Sequence, residues 1–325
     1  MMKKLLTYFQ LFRLPNVFTA MADIIAGFVF VRANVSPALS FACLLIASSL
    51  MYIAGMVLND VFDVEQDRKE RPQRPIPSGR ISLAHATQLG WGLLVLGILA
   101  ACMSGLFLVK NDPIEIPWRG AVIAVLLAGC IIAYDAKMKR TPAGPLFMGA
   151  CRSFNLLLGM SAAGAYACEG PTWLLNYEAG QLLIAGGVGI YIAGVTWFAR
   201  TEAVDSSRVQ LAGGVAVMVA GLLLVVSYAW LDDLPVFHFR HRNPEQWKMI
   251  WQLSVVVIGF TIVRSALMAV YDPRPERVQS AVKTAIMSLI VIDAAIAMII
   301  GPYIALAVLA LLVPMLILGR WVYST

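Results

Sequence analysis

Charge is what this sequence has least of. Asp, Glu, Lys and Arg make up 14% of its 325 residues, against about 25% in ordinary soluble domains. With 60% hydrophobic residues and a mean hydropathy of +0.77, that scarcity excludes a soluble globular domain. Cysteine is scarce as well. Cys43, Cys102, Cys130, Cys151 and Cys168 show no metal-ligand spacing, and four of them fall inside apolar runs. They read as small packing residues, not as a disulfide framework. His85, His238 and His241 have no ligand spacing either. No linker, low-complexity tract or disordered charge run interrupts the chain, so residues 1–325 read as one membrane domain. Met1 to Pro15 sets bulky apolar residues between Lys3-Lys4 and Arg13. That pattern reads as an amphipathic segment on the inner surface, not a cleavable signal peptide.

What is present is a series of apolar runs of 17 residues or more. Ten are discernible, near 17–33, 38–58, 84–109, 118–135, 144–166, 180–199, 211–231, 249–270, 281–300 and 302–319. Each is long enough to cross a hydrocarbon core of about 30 Å. Backbone groups in lipid must be satisfied internally, so the fold class is all-α: a polytopic bundle of nine to ten transmembrane helices. Only Gly301-Pro302 separates the last two runs, so nine helices with one broken or re-entrant segment is equally consistent.

The net charge of +6 is distributed by topology and gives no reason to expect nucleic acid. With the N-terminus inside, 17 of the 25 Lys and Arg fall on the inner side and six on the outer. Arg152 and Arg264 lie within runs. The asymmetry follows the positive-inside rule. We therefore expect a multi-pass protein of a bacterial inner membrane, its active site on the cytoplasmic side and the lipid bilayer its first partner.

The densest chemistry follows the second run. Leu39 to Leu58 carries no charge, and then come Asn59, Asp60, Asp63, Glu65 and Asp67, followed by Arg68, Lys69, Arg71, Arg74 and Arg80. At about 100° per residue, Asn59, Asp63 and Asp67 stand one above another on a helix with Asp60 beside them. Carboxylates so placed repel one another unless a cation sits between them. An oxygen-only set of this kind suits Mg²⁺, which keeps some water and shares itself with substrate phosphates. Arg71 and Arg74 are placed to hold the same phosphates, and Pro72, Pro75 and Pro77 stop the helix there. Polar segments recur after the fourth run, at Asp135–Thr141, and after the sixth, at Arg200–Arg208. In a closed bundle the three meet at one cytoplasmic rim.

Two further groups leave alternatives open. Glu202 and Asp205 are three apart and can share a cation. Equally, Arg200 can take the place of a second metal ion, or the segment can be a plain polar helix end. Arg152 and Asn155, also three apart, lie inside the fifth run, where an arginine is costly and usually faces a polar cavity. They either line an acceptor pocket or pair structurally with a buried acid such as Asp23. Asp293 and Arg264, both mid-run, are candidates for a mutual bridge.

Asn59-Asp60-x-x-Asp63-x-x-x-Asp67 with Arg71 and Arg74-Pro75 resembles the first aspartate-rich motif of the UbiA superfamily of intramembrane prenyltransferases. Arg13-Leu14-Pro15-Asn16 and Tyr134-Asp135-Ala136-Lys137-Met138-Lys139-Arg140-Thr141 resemble further segments of that family. The resemblance implies a bundle of about nine helices around a lateral cavity. It implies that Asn59, Asp60, Asp63 and Asp67 bind Mg²⁺ and, through it, the diphosphate of a prenyl donor, with Glu202 and Asp205 as a reduced second metal set. Tyr134 and Lys139 join the aspartates as catalytic groups. Asn16, Arg71, Arg74, Lys137, Arg140, Arg152, Asn155 and Arg200 are the substrate-binding expectations. The family places two aspartates, four apart, at the sixth helix; Asp205 here is followed by Val209. The function expected is transfer of a polyprenyl group from a prenyl diphosphate to a small aromatic or lipophilic acceptor. The alternative is a non-catalytic binder or carrier of a prenylated or lipid-diphosphate molecule.

Overall fold

A computed structural model describes residues 2–111, 116–163, 174–201, 206–231 and 243–323. A short helix, α1 (Met2–Leu11), precedes the bundle. The long helices are α2 (Val17–Arg32), α3 (Ala38–Phe62), α5 (Leu83–Asn111), α6 (Arg119–Ala136) and α7 (Gly144–Met160). They continue with α8 (Ala179–Phe198), α9 (Arg208–Ser227), α10 (Pro244–Tyr271) and α11 (Pro275–Met298). The short α4 (Val64–Glu70) follows α3 directly. The all-α expectation holds.

Nine segments among the described residues are long and apolar enough to cross a membrane. The tenth expected span is α7, only 17 residues long. Its path shows that it crosses too. Arg200, just past α8, hydrogen-bonds the Thr141 carbonyl just past α6, so both helices end at one face. At the other end of α7, the Tyr177 hydroxyl before α8 donates to Leu157 O at 2.8 Å. The last two runs stay separate across Gly301-Pro302, and the last has a break that the sequence reading did not place: α12 (Pro302–Leu309) and α13 (Leu312–Tyr323) are separated by Ala310 and Leu311.

Sequential helices pack side by side, α3 on α5, α6 on α7, α7 on α8, α8 on α9, and α9 on α10. Contact of α11 with α2 closes the ring. The α2–α7 crossing is close because both helices offer glycine. A Cβ on Gly27 would stand 2.5 Å from Leu156 O, and one on Gly159 would stand 2.8 Å from Ile24 O. Small residues let helices approach where lipid gives no hydrophobic drive to associate.

A charged cluster ties the same region together within the membrane. Arg152 Nη2 on α7 lies 2.8 Å from Asp23 Oδ1 on α2 and 3.4 Å from Asp293 Oδ2 on α11. It also donates to Thr19 O at 2.8 Å. Asn155 donates to Asp23 Oδ2 at 2.7 Å and accepts from Ser48 on α3 at 2.7 Å. Asp293 therefore pairs with Arg152, which corrects the expected Asp293–Arg264 bridge. Arg264 faces outward, and the bundle interior could not reach it. Arg119 is buried at the start of α6. Its guanidinium donates to the carbonyls of Ser161, Ala163 and Asn176 and covers the Tyr177 ring at 4.6 Å.

Candidate active site

The site forms where α3 leaves the membrane. Its last turn passes straight into α4 through Asp63, at φ −94° and ψ 5°. The backbone ladder continues across the bend, with Asp63 N to Asn59 O at 3.0 Å and Asp67 N to Asp63 O at 2.8 Å. Arg71 ends α4, and the prolines that follow turn the chain back toward α3.

The bend changes which acids stand together. The sequence expectation of one ladder, Asn59 over Asp63 over Asp67, is corrected to two sets. Asp60 and Asp67 share one guanidinium: Arg74 Nη1 is 3.3 Å from Asp60 Oδ1 and 2.6 Å from Asp67 Oδ2. Residues seven apart return to nearly the same helical face, so these two carboxylates converge on a single point. Asn59 and Asp63 turn instead toward the end of α6. Asn59 Nδ2 donates to Asp135 Oδ1 at 2.9 Å. Asp63 takes Lys139 Nζ at 2.6 Å on one oxygen and Arg140 Nη2 at 3.1 Å on the other.

Burial makes these pairs consequential. Asp60, Asp67 and Asp135 are each 4% exposed or less. Carboxylates removed from water persist as anions only when paired and hydrogen-bonded. Arg13, which the sequence placed only in a segment leading into the first span, is a fourth cation of the site, 3.3 Å from Asp60 Oδ1. It reaches there from a left-handed backbone, φ 45° and ψ 47°, a conformation that costs a non-glycine residue on the order of 1–3 kcal/mol. Asp135 was the other omission. Its signal was available, because both α3 and α6 end an uncharged run with a side-chain amide or carboxylate at the same depth.

The remaining expected residues fall into three groups. Lys139 reaches Asp63, whereas Lys137 is exposed, which settles which lysine faces the acids. Tyr134 is half-buried on the last turn of α6, and Asn16 is half-buried beside Arg13; Arg71 is exposed. Arg200 bridges to the Thr141 carbonyl and so brings the α8 end to the α6–α7 loop. Arg152 and Asn155 are committed to Asp23, Asp293, Thr19 and Ser48 inside the bundle. Glu202 and Asp205 lie outside the described residues.

Among the described residues, no three His, Cys, Asp or Glu side chains are close enough to hold a metal by themselves. The donor set nevertheless fits Mg²⁺ of the kind that binds through one or two carboxylates and completes its shell with phosphate oxygens. Asp60 and Asp67 already converge on one positive group, and all the donors nearby are oxygens.

The profile of the UbiA prenyltransferase family matches residues 20–279. The digeranylgeranylglyceryl phosphate synthase of Ignicoccus hospitalis is 32% identical over 168 residues, 51% of this chain and 50% of that protein. The synthase of Saccharolobus solfataricus is 31% identical over 175 residues, 52% of this chain and 55% of that one. The chain thus spans about half the length of the curated relatives it matches. In fold, a digeranylgeranylglyceryl phosphate synthase superposes with a TM-score of 0.62 at 20% identity, over 92% of this chain and 99% of that chain. A UbiA homolog from Archaeoglobus fulgidus bound to GPP and Mg²⁺ gives 0.54 at 15% identity, over 94% and 99%. Since the profile runs over most of the sequence and takes in the acids, the basic loop and the helices that carry them, the chain belongs to the UbiA prenyltransferase family.

Proposed function

We propose that the protein transfers a prenyl group from a prenyl diphosphate to a lipophilic acceptor at the rim formed by α3, α4 and the α6–α7 loop. The observation that carries this reading is the convergence of Asp60 and Asp67 on Arg74, with Asp63 held by Lys139 and Arg140. Arginine forks and a lysine beside buried carboxylates form a site that exchanges partners: the cations turn from carboxylate to phosphate oxygens when a diphosphate enters. Arg74 then neutralises the diphosphate, leaving Asp60 and Asp67 as the pair that would hold Mg²⁺. When bound, the metal ion supplies charge stabilisation to the departing diphosphate. Arg13, Lys139 and Arg140 add fixed positive charge around the leaving group, the electrostatic contribution that dominates reactions of this type. Below the rim, α3 carries no charge from Leu39 to Leu58, an apolar setting that keeps water from the electron-poor prenyl carbon.

The relatives' product, digeranylgeranylglyceryl phosphate, makes a prenylated glyceryl phosphate a natural acceptor class to test first. The excess of Lys and Arg on the same side supports a cytoplasmic active site.

The test is Mg²⁺-dependent release of diphosphate from a panel of prenyl diphosphates by the purified protein, alongside Asp63→Ala. Removing one charge-positioning group of this kind lowers turnover by about 10²–10³-fold. Release by the wild type that collapses in the variant supports transferase chemistry. Donor retention without release, across a range of acceptors, overturns it in favour of a binder or carrier.

A further inference from the structure

Away from the acids, α9, α10 and α11 enclose a second feature on the same rim. A cleft of about 940 Å³ lies between the start of α9, the end of α10 and the start of α11. Arg208, Arg264 and Arg277 line it, with Phe260, Leu267 and Tyr271 among its apolar walls. Its volume is that of a ligand site, roughly 300–1,000 Å³. We propose that this cleft binds an anionic, phosphate-headed lipid of the surrounding leaflet, with Arg208, Arg264 and Arg277 on the head group and the tail along Phe260 and Leu267. The proposal does not rest on the transferase reading.

Charge complementarity is the first argument. Three guanidiniums face the cleft against one carboxylate, Asp272. That carboxylate is already engaged, taking Arg274 Nε at 2.8 and 3.1 Å and lying 3.7 Å from Arg277 Nε. Hydrogen bonding from Arg274 holds its carboxyl below the usual carboxylate range, so it stays ionised and bound to arginine. Among the described residues no carboxylate pairs with Arg208 or Arg264. Arg264 sits seven residues before the end of α10, about 10 Å along the helix. A guanidinium at that depth is costly without a polar partner, and a lipid phosphate is the anion that reaches there. The planar fork of arginine suits phosphate oxygens, and basic pockets between spans on the inner side are known to take anionic head groups.

The apolar walls decide between a lipid and free phosphate. Phe260 is 68% exposed and Leu267 51% exposed, both on the outward face of α10 that lies against lipid. Tyr271, at the helix end, stands where aromatic rings anchor at the membrane interface. A soluble anion would leave this apolar surface uncovered.

The experiment is native mass spectrometry of the full chain released from micelles containing equal amounts of phosphatidylglycerol and phosphatidylcholine with matched tails. The expected result is preferential retention of phosphatidylglycerol by the wild type. In Arg264→Gln/Arg277→Gln that retention falls by at least about tenfold, because two charge-assisted contacts to the head group are removed together. Lys283→Gln, which changes an exposed basic residue of α11 outside the cleft, leaves it unchanged. Equal retention of the two lipids by the wild type overturns the proposal without recourse to any variant. So does undiminished retention in the double variant, or displacement of the lipid by inorganic phosphate.

Discussion

Replacing Arg152 by methionine removes the one cation that the buried acids Asp23 and Asp293 share. Both aspartates are fully buried, and no other Lys or Arg among the described residues pairs with them. Breaking a buried ion pair by deleting one partner costs about 3–5 kcal/mol, because the other charge remains buried without compensation. Here two carboxylates are left, and the hydrogen bond to Thr19 O is lost as well, so Arg152→Met belongs at the upper end of that range. The three members should not be equivalent. Asp23 lies 2.8 Å from the guanidinium and accepts from Asn155 at 2.7 Å, whereas Asp293 is 3.4 Å from the guanidinium. Asp293→Asn also brings the cluster to one carboxylate for one guanidinium. Its expected cost is about 1 kcal/mol or less, that of one modest hydrogen bond. Asp23→Asn falls between, since it loses the nearer charge and turns a donor toward Asn155. The triple replacement Arg152→Met/Asp23→Asn/Asp293→Asn should recover most of the loss, because neutral groups of similar volume often substitute for a buried ionic cluster without penalty. Thermal unfolding in detergent ranks the four proteins. If Arg152→Met melts no lower than Asp293→Asn, or if the triple variant is worse than Arg152→Met, the electrostatic account of this cluster is refuted.

Two further outcomes follow from the rim and the helix crossing. Arg13→Gly keeps the left-handed turn that glycine adopts freely but removes a cation 3.3 Å from Asp60. Its melting temperature should match or exceed that of the wild type, while the Kd for a prenyl diphosphate with Mg²⁺ rises about tenfold or more, the equivalent of one charge-assisted bond; titration calorimetry measures it, and an unchanged Kd removes Arg13 from the site. Gly27→Ala drives a Cβ to within 2.5 Å of Leu156 O, overpacking that should cost about 1–3 kcal/mol. Gly129→Ala, where the added carbon meets open space, should leave the melting temperature unchanged.

The acid motif was legible as a site because its order is local. An uncharged run that ends in Asn59, Asp60, Asp63 and Asp67 announces itself without any knowledge of what lies opposite. The tenth span was legible for a similar reason: hydropathy counts residues, and α7 has enough of them. Legibility failed where a single bend or a distant partner decided the outcome. The turn at Asp63 sends the acids to different partners, Asp60 and Asp67 to Arg74 and Asn59 and Asp63 to the end of α6, and rotation of about 100° per residue says nothing of those partners. Arg13 was missed because a left-handed turn before Pro15 aims it back at α3.

By itself, then, the sequence determined a membrane-spanning helical bundle and the presence of an oxygen-rich, cation-flanked rim. Both depend on interactions within one helix or between one helix and lipid, and these act over a few residues. The tertiary structure alone decided which charge answers which. Asp60 meets Arg13 across 47 residues of chain, Asp63 meets Lys139 across 76, and Arg152 meets Asp293 across 141. A salt bridge forms where two side chains come within about 4 Å, and it is the closing of the helix ring that brings residues so far apart in sequence to that distance.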